Sequence, residues 1–414
     1  MQRKRLGDTL VLLSVTAIAA VTLFPSDATT PVEDVFCLFC GWRQVADFVL
    51  NVILFIPLGA ALCFRLGGRF KPVVIAALLT LLIELLQIPI PGRDANLRDL
   101  IANTLGAVVG IVMFRTAPVW LGASRAIGRG WALLALAAAL AILTGGALML
   151  APSFPDTVYY GQWTARFGNM QPYHGRVISA TIGDIAVPSR RSRYSDSLQT
   201  MLRGGTPIHI RFRVGPPTTG LAPIFSIYDE FQHEILLIGA DRGDAVYRYR
   251  TAGIPLFDQP DVRLRGAMNQ LTRRDVSRIV IWRRGRSLCM TVGQTQSCNL
   301  GYTVGRTWSL LMFDERLGAA PLRIADMLWI ALLFFPAGVW WRNRRAVIFK
   351  LAAAMIGLAI IPFATGVLHT SVFEYAGAAL GILTGGLAGR TLARLSVLHE
   401  SASESLRTHR SMRS

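Results

Sequence analysis

Eight long apolar runs dominate the pattern of hydrophobic and polar positions in this chain. They cover approximately residues 8–24, 45–64, 72–90, 98–115, 131–151, 324–341, 347–368 and 371–389. Each run is close to the roughly 20 residues that a helix needs to cross a hydrocarbon core about 30 Å thick. The pattern therefore predicts a multi-pass α-helical membrane protein with about eight transmembrane helices.

The segment between the fifth and sixth runs has a different pattern. Short apolar stretches alternate there with polar residues, and helical periodicity is nearly absent. The predicted strands are 209–214, 224–228, 235–238, 245–250, 278–283 and 309–313. This segment is therefore expected to be an inserted all-β sandwich. The predicted domains are a membrane domain at 1–151, the β insert at 152–323, a second membrane part at 324–390 and a basic tail at 391–414.

Composition and charge agree with this organisation. Hydrophobic residues make up 52% of the chain and charged residues only 16%, and the mean hydropathy is +0.43. The formal net charge of +18 is largely explained if the basic loops lie in the cytoplasm, where Lys and Arg are enriched. Both termini are then predicted inside and the β insert outside, and no nucleic-acid partner is expected.

An internal repeat links the two membrane parts. The residues Asp47, Leu54, Phe55, Pro57 and Gly59 recur at identical spacing as Asp326, Leu333, Phe334, Pro336 and Gly338. Both copies begin on the same predicted side of the membrane, so they are expected to be parallel repeats. Many transporters instead contain inverted repeats, which weakens the hypothesis of transport.

The two copies differ in their polar residues. Asn51 of the first copy is replaced by Ile330 in the second. An alignment of the glycine pairs equates Gly106 with Gly377, Gly110 with Gly381, Asp99 with Thr370, and Asn103 with Glu374. On this alignment the second copy retains mainly scaffold residues, and the first copy is expected to carry the function.

Seven polar residues of the first copy form the candidate ligand site. They are Asp47, Asn51, Glu84, Gln87, Arg93, Asp99 and Asn103, toward the predicted outer ends of three consecutive helices. Spacings of three or four residues place the polar residues of each helix on one face. Polar groups in a bilayer pair with one another or face a wet cavity, so these faces predict an outward-facing pocket. The competing interpretation is that they are solvated near the helix ends and only fix helix packing.

Four further residues are expected to shape the same helices. Gly106 and Gly110 would let two helices approach closely. Pro57, followed by Gly59, would bend the second helix just below the proposed pocket.

Two pairs of cysteines are expected to be structural. Cys289 and Cys298 flank a predicted hairpin at 292–295, which a disulfide would staple in an oxidising exterior. Cys37 and Cys40 form a C-x-x-C motif that suits a disulfide, a redox pair or half of a metal site. The disulfide is favoured because the chain has no second such motif and no nearby histidine, and no metal site is predicted.

The order of these residues resembles the VanZ-like membrane family. The matching motifs are Asp47-x3-Asn51-x2-Leu54-Phe55-x-Pro57-x-Gly59, Ile83-Glu84-x2-Gln87, and Gly92-Arg93-Asp94-x4-Asp99-x3-Asn103-x2-Gly106-x3-Gly110. The C-terminal part resembles a degenerate second VanZ-like half, and the β insert resembles a concanavalin-like or laminin-G-like jelly roll. The resemblance implies a protein of the bacterial cytoplasmic (inner) membrane with a cell-envelope role. The family's named member is associated with resistance to the glycopeptide antibiotic teicoplanin.

The leading hypothesis is a non-enzymatic envelope protein whose pocket binds a lipid headgroup or a lipid-linked glycan. The β insert would bind an envelope polysaccharide or an envelope protein. Arg93 would pair with a phosphate, and the three carboxylates would orient it or bind a cation. The alternatives are a membrane enzyme with Glu84 and Asp99 as general acid and base, a transporter and a structural scaffold. No cofactor is predicted, because the sequence contains no phosphate loop, H-E-x-x-H, G-x-S-x-G or dinucleotide motif.

Overall fold

The computed structural model describes residues 2–25, 43–68, 70–93, 95–122, 124–167, 170–312, 317–340 and 343–411. Its contacts divide the chain into two compact units. The helical unit comprises Met1–Leu143, Gly318–Ile360 and Ser371–Ser414. The β unit comprises Thr144–Leu317 and Ile361–Thr370.

The helices are α1 Gln2–Thr22, α2 Gln44–Leu66, α3 Phe70–Gln87, α4 Leu97–Leu121, α5 Arg125–Met149, α6 Ser195–Gly204, α7 Ala319–Val339, α8 Arg344–Thr365 and α9 Val372–Ser411. All of them except α6 contain a segment long and apolar enough to cross a membrane, giving eight candidate spans within the described ranges. These helices confirm the predicted membrane part. Helix α2 continues through Pro57.

Glycines bring α2 and α4 into backbone contact. A Cβ atom built on Gly106 would lie 2.2 Å from the carbonyl oxygen of Val52, and one on Gly110 would lie 2.0 Å from that of Ile56. A Cβ on Gly59 would likewise lie 2.0 Å from the carbonyl oxygen of Ala107. No side chain larger than hydrogen fits at these distances, so the glycines set the spacing of the two helices.

The same glycine contacts recur between α7 and α9, one helical turn later than the sequence alignment places them. In the Asp47 and Asp326 alignment, Val52 and Ile56 correspond to Ala331 and Phe335. A Cβ atom built on Gly381 would lie 2.2 Å from the carbonyl oxygen of Ala331. One built on Gly385 would lie 2.1 Å from the carbonyl oxygen of Phe335. Gly381 and Gly385 are therefore the counterparts of Gly106 and Gly110, and the predicted pairing with Gly377 and Gly381 is wrong.

The error has a simple physical source. Helix α9 carries glycines at four-residue intervals, at positions 377, 381, 385 and 389, so the sequence pattern alone does not fix the register. With the corrected register, Glu374 lies seven residues before Gly381, as Asp99 lies seven before Gly106. Glu374 is thus the counterpart of Asp99 rather than of Asn103.

The β unit contains two antiparallel sheets. Its strands are β1 Tyr160–Trp163, β2 Arg176–Ile182, β3 Ile185–Ala186, β4 Ile208–Arg213, β5 Ala222–Tyr228, β6 Glu234–Asp241, β7 Asp244–Tyr249, β8 Val262–Leu264, β9 Val276–Arg284, β10 Ser287–Val292 and β11 Thr295–Leu300. The sheet orders are β1-β5-β6-β7-β8 and β11-β10-β9-β4-β2-β3. Phe225 and Tyr247 of the first sheet share one buried core with Ile210 and Ile281 of the second.

Five of the six predicted strands are confirmed, and one is wrong. Residues Val304–Leu310 form a 3-10 helix, so the predicted strand at 309–313 does not form over its described part. A short apolar run in a core fits a strand or a buried helical turn equally well. Helix α6, which follows an amphipathic pattern, was not predicted. The jelly-roll assignment remains a prediction.

The predicted hairpin at 292–295 lies between β10 and β11. Gly293 occupies its turn with a φ of 59°, a conformation that glycine adopts without strain. A disulfide joins Cys289 of β10 to Cys298 of β11 across this hairpin. Cys37 and Cys40 lie outside the described residues.

Candidate functional site

The buried Glu84 side chain ties α3 to the start of α4. It is only 6% exposed, and its Oε2 accepts a hydrogen bond from the backbone N–H of Asn96 at 3.0 Å. Asn96 is the N-cap of α4, and its side-chain oxygen accepts from the backbone N–H of Arg98 at 2.9 Å. Two amide donors that a helix start leaves unsatisfied are therefore satisfied by side chains.

Two aspartates and two arginines lie beside this cap. Asp47 Oδ1 is 3.5 Å from Arg43 Nη2, and Asp99 Oδ1 is 3.8 Å from Arg98 Nε. The charge of Arg98 also acts on Asp47, and the charge of Asp99 acts on Glu84. The structure thus brings the three predicted carboxylates into one electrostatic cluster.

Arg98 and Arg43 were not predicted as members of this cluster. Each lies at the start of an apolar helix and close to an acidic residue. Arg98 directly precedes Asp99, and Arg43 lies one helical turn before Asp47, and this spacing is the sequence signal that identifies both. Arg98, rather than Arg93, supplies a positive charge among the carboxylates.

Asn103 adds a buried acceptor from the next turn of α4. The residue is 2% exposed, and its Oδ1 has no hydrogen-bond partner within the part of the chain that the structure describes. An unsatisfied buried acceptor is unfavourable by about 1–3 kcal/mol unless a donor reaches it. Asn51 on α2 is half-buried. The available chemistry is therefore rich in hydrogen-bond acceptors.

Gln87 and Arg93 are turned toward α1. Gln87 Nε2 donates to the carbonyl oxygen of Thr22 at 3.0 Å. Arg93 donates from Nε to Phe24 at 3.0 Å and from Nη2 to Val21 at 2.8 Å, in both cases to the carbonyl oxygen. Carbonyl groups at a helix C-terminus lack intrahelical partners and attract positive charge.

The position of Arg93 corrects one sequence expectation. Among the described residues, Arg93 forms no ion pair with a carboxylate, so the three carboxylates do not orient it. Its guanidinium is used to hold the end of α1.

The second repeat keeps two of the carboxylates. Asp326, the counterpart of Asp47, is 8% exposed and Glu374 is fully buried. Glu374 Oε2 accepts from the backbone N–H of Ser371 at 2.6 Å, and Ser371 Oγ accepts from the backbone N–H of Glu374 at 3.4 Å. This reciprocal pair is a capping box at the start of α9. The second copy is therefore less degenerate than the sequence alignment indicates.

The arginine of the first cluster is absent from the same position of the second. Ser371 lies ten residues before Gly381, as Asn96 lies ten residues before Gly106. Phe373, two residues after Ser371, is therefore the counterpart of Arg98. A different arginine, Arg323 of α7, lies with its guanidinium carbon 5.9 Å from the ring centroid of Phe373. The two copies thus share carboxylate positions and differ in where the positive charge comes from.

No group of three or more His, Cys, Asp or Glu side chains that could hold a metal ion occurs among the described residues.

In the β unit, Arg263 bonds to Asp241 at 2.7 Å and to Asp261 at 2.9 Å. Burial would raise the pKa of Asp241, but hydrogen bonds from Arg242 and Arg263 outweigh it and hold that pKa below its ordinary value.

Comparison with known proteins gives one match. Residues 10–120, which contain most of α1 and nearly all of α2 to α4, match the family model described as VanZ/LLP1. No curated protein and no solved structure matches the chain. The matched segment contains all seven predicted ligand-site residues. The N-terminal helices of the chain are therefore similar to the VanZ/LLP1 family, and the β unit lies outside the matched residues.

Proposed function

We propose that this protein is a cell-envelope protein of the bacterial cytoplasmic membrane that binds the polar headgroup of a lipid or a lipid-linked glycan. The site is the cluster of Asp47, Glu84, Asp99 and Asn103 on α2, α3 and α4, together with Asn51. The observation that carries the proposal is the buried Asn103 Oδ1, which has no donor among the described residues. A ligand hydroxyl or ammonium group would supply that donor.

The composition of the cluster refines the ligand chemistry. Three carboxylates and two amide side chains offer mainly acceptors, and Arg98 and Arg43 offset part of the negative charge. Sugar hydroxyls or a headgroup amine complement such a site better than a bare phosphate does. Arg93 and Gln87 support the site by fixing α1.

The topology is part of the proposal. The distribution of Lys and Arg favours both termini in the cytoplasm, which places the cluster near the outer face and the domain 152–323 outside the membrane. The β domain would then bind glycan or an envelope protein. A site at this face would meet the lipid-linked precursors on which glycopeptide antibiotics act, which connects the proposal with antibiotic susceptibility.

The experiment is mass spectrometry of the lipids and glycolipids that co-purify with the intact protein. The test variant is Glu84→Gln with Asp99→Asn, and the matched control is Asp326→Asn with Glu374→Gln in the second repeat. Size-exclusion chromatography establishes that each variant is folded. We expect one lipid class to be lost from the test variant and retained by the control. Identical profiles, or equal loss from both variants, would show that the carboxylates only support helix packing.

A membrane enzyme is the second candidate function. It is favoured by the electrostatic interaction between Glu84 and Asp99, two groups that could exchange protons with a substrate. Incubation of the identified lipid with the reconstituted wild-type protein and with the Glu84→Gln, Asp99→Asn variant separates the two functions. A product formed by the wild type alone would assign catalysis, and binding without a product would retain the binding function.

A further inference from the structure

Arg283 and Arg286 of the β unit differ from other arginines of that unit in having no carboxylate partner among the described residues. Arg248 and Arg263 each bond to Asp261, at 2.7 Å and 2.9 Å. Arg283 and Arg286, in contrast, have no carboxylate partner in the described parts of the chain. Unpaired guanidinium groups in a recess favour a bound anion.

Arg283 continues the core-facing row of β9 at the exposed end of that strand. Ile279 and Ile281 of β9 are buried in the core of the sandwich, and Arg283 is the next residue on the same face because side chains alternate along a strand. It pairs in register with Leu288 of β10. The inward row of β9 therefore ends in a positive charge.

Arg286 reaches the same region from the turn between β9 and β10. Its guanidinium carbon lies 4.1 Å from the ring centroid of Phe363, in a cation–π contact. This contact restricts the position of the guanidinium, whose five N–H donors exceed what one ring can engage, so donors are left to bond to an anion.

A cavity of about 230 Å³ lies between these arginines. Its lining contains both of them and no acidic residue. Tyr302 also lines it, but its hydroxyl donates to the carbonyl oxygen of Pro260 at 2.5 Å, and Tyr249 is hydrogen-bonded to Tyr302. The arginines are therefore the charged donors of the cavity. The volume is below the roughly 300–1,000 Å³ of sites for drug-sized ligands and suits one headgroup-sized moiety.

Two candidate transmembrane helices, α5 and α8, end at this cavity. Leu150 follows the last residue of α5, and Thr365 is the last residue of α8. Both helices are candidate spans. The 365–368 segment is held to the β unit by a hydrogen bond from the backbone N–H of Leu368 to the carbonyl oxygen of Tyr302, at 2.8 Å. The ends of spans lie at the level of lipid headgroups.

We propose that this cavity binds the phosphate of an anionic membrane lipid through Arg283 and Arg286. The apolar side chains of Leu150, Leu300 and Leu368 would contact the part of the lipid nearest its chains. The site is separate from the cluster on α2, α3 and α4, and it does not depend on the function proposed for that cluster.

The test measures the thermal stability of the full-length protein in detergent with three additives. These are dihexanoyl phosphatidylglycerol, dihexanoyl phosphatidylcholine and inorganic phosphate. We expect phosphatidylglycerol to stabilise the wild type most, and Arg283→Gln with Arg286→Gln to need at least about tenfold more lipid for the same shift, because two charge-assisted hydrogen-bonding groups are lost. The matched control is Arg278→Gln with Arg284→Gln, which removes the same charge from the outward row of β9.

Each other outcome has a defined meaning. Equal stabilisation of the test and control variants would overturn the site. An equal response of the wild type to inorganic phosphate would retain an anion site but overturn the lipid assignment. If the double variant does not fold, Arg286→Gln alone in the hairpin turn gives the same comparison against Arg284→Gln.

Discussion

Asn96 and Ser371 occupy the same position in the two repeats, and their backbone N–H groups are satisfied by different carboxylates. Asn96 donates to Glu84 of α3 at 3.0 Å, whereas Ser371 donates to Glu374 of its own helix at 2.6 Å. In the first repeat a neighbouring helix therefore performs the capping that the second repeat performs internally. Asp99, the counterpart of Glu374, instead lies 3.8 Å from Arg98.

This relationship predicts different effects for two changes at Glu84. Glu84→Ala should destabilise the protein by about 1–3 kcal/mol, because the buried N–H of Asn96 loses its acceptor. Glu84→Gln retains an acceptor oxygen and should have a clearly smaller effect. Thermal unfolding of the purified protein in detergent measures both. Equal losses for the two variants would mean that charge rather than capping is important at this position.

The glycine contacts predict a steric effect at Gly106. A Cβ at this position would lie 2.2 Å from the carbonyl oxygen of Val52, so Gly106→Ala should force α2 and α4 apart and destabilise the protein by about 1–3 kcal/mol or more. Gly381→Ala should behave in the same way under the corrected register.

Gly145→Ala is the matched control for both substitutions, because nothing lies within 4 Å of a Cβ built at Gly145. Fluorescence-detected size-exclusion chromatography after heating reports the folded fraction. If Gly381→Ala were as harmless as Gly145→Ala, the register proposed for the second repeat would be incorrect.

The disulfide between Cys289 and Cys298 should stabilise the β unit. Replacing both residues by serine removes a covalent link across nine positions, and the expected loss is about 2–3 kcal/mol. Peptide mapping without reductant should recover the two cysteines in one linked species. Cys63→Ser is the control, since Cys63 is a free, buried cysteine in α2. Recovery of Cys289 and Cys298 as separate alkylated thiols would contradict the assignment.

Glu234 predicts a pH dependence in the β unit. Burial raises the pKa of Glu234 from its ordinary value of 4.5, although Arg248 opposes the shift. Because the folded state resists ionisation, stability should fall as the pH rises from about 4.5 through the folded-state pKa. Glu234→Gln should therefore raise the unfolding temperature at pH 7 and have little effect at pH 4. A variant that is less stable at pH 7 would refute this expectation.

Asp241 should show the opposite sign. Arg242 and Arg263 hold its pKa below the ordinary value of 3.8 despite its burial. Its ionised form therefore stabilises the folded state above that value, and this contribution is lost as the pH falls through the folded-state pKa. Asp241→Asn should lower stability at pH 7 by about 1–3 kcal/mol. Unfolding curves at pH 7 and at pH 3 compare the two regimes, and an equal loss at both would contradict the electrostatic origin.

Several features followed from the sequence because they depend on local or solvent constraints. A bilayer requires a long apolar run for each span, so all eight candidate spans were predictable from hydrophobicity. Short apolar stretches between polar residues identified β4, β5, β6, β7 and β9, and glycine identified the β10–β11 turn. The same pattern placed the candidate carboxylates near the ends of three helices.

Other features depend on contacts between distant residues. The register of α9 was ambiguous because its glycines repeat every four residues, and only their approach to the α7 carbonyl groups selected one alignment. Arg93 and Arg98 are both basic residues near the start of α4. In the tertiary structure Arg93 donates to carbonyl oxygens at the end of α1, whereas Arg98 lies beside Asp99.

The sequence by itself therefore determined the eight candidate membrane spans, five of the strands and the polar residues that are available for a site. The tertiary structure alone decided which of those residues meet, because hydrogen bonds such as that from Asn96 to Glu84 join helices whose relative positions no local pattern encodes. The cavity at Arg283 and Arg286 depends in the same way on strand pairing and on residues 365–368, more than 60 residues further along the chain. Hydrophobic periodicity carries no information about such a distant contact.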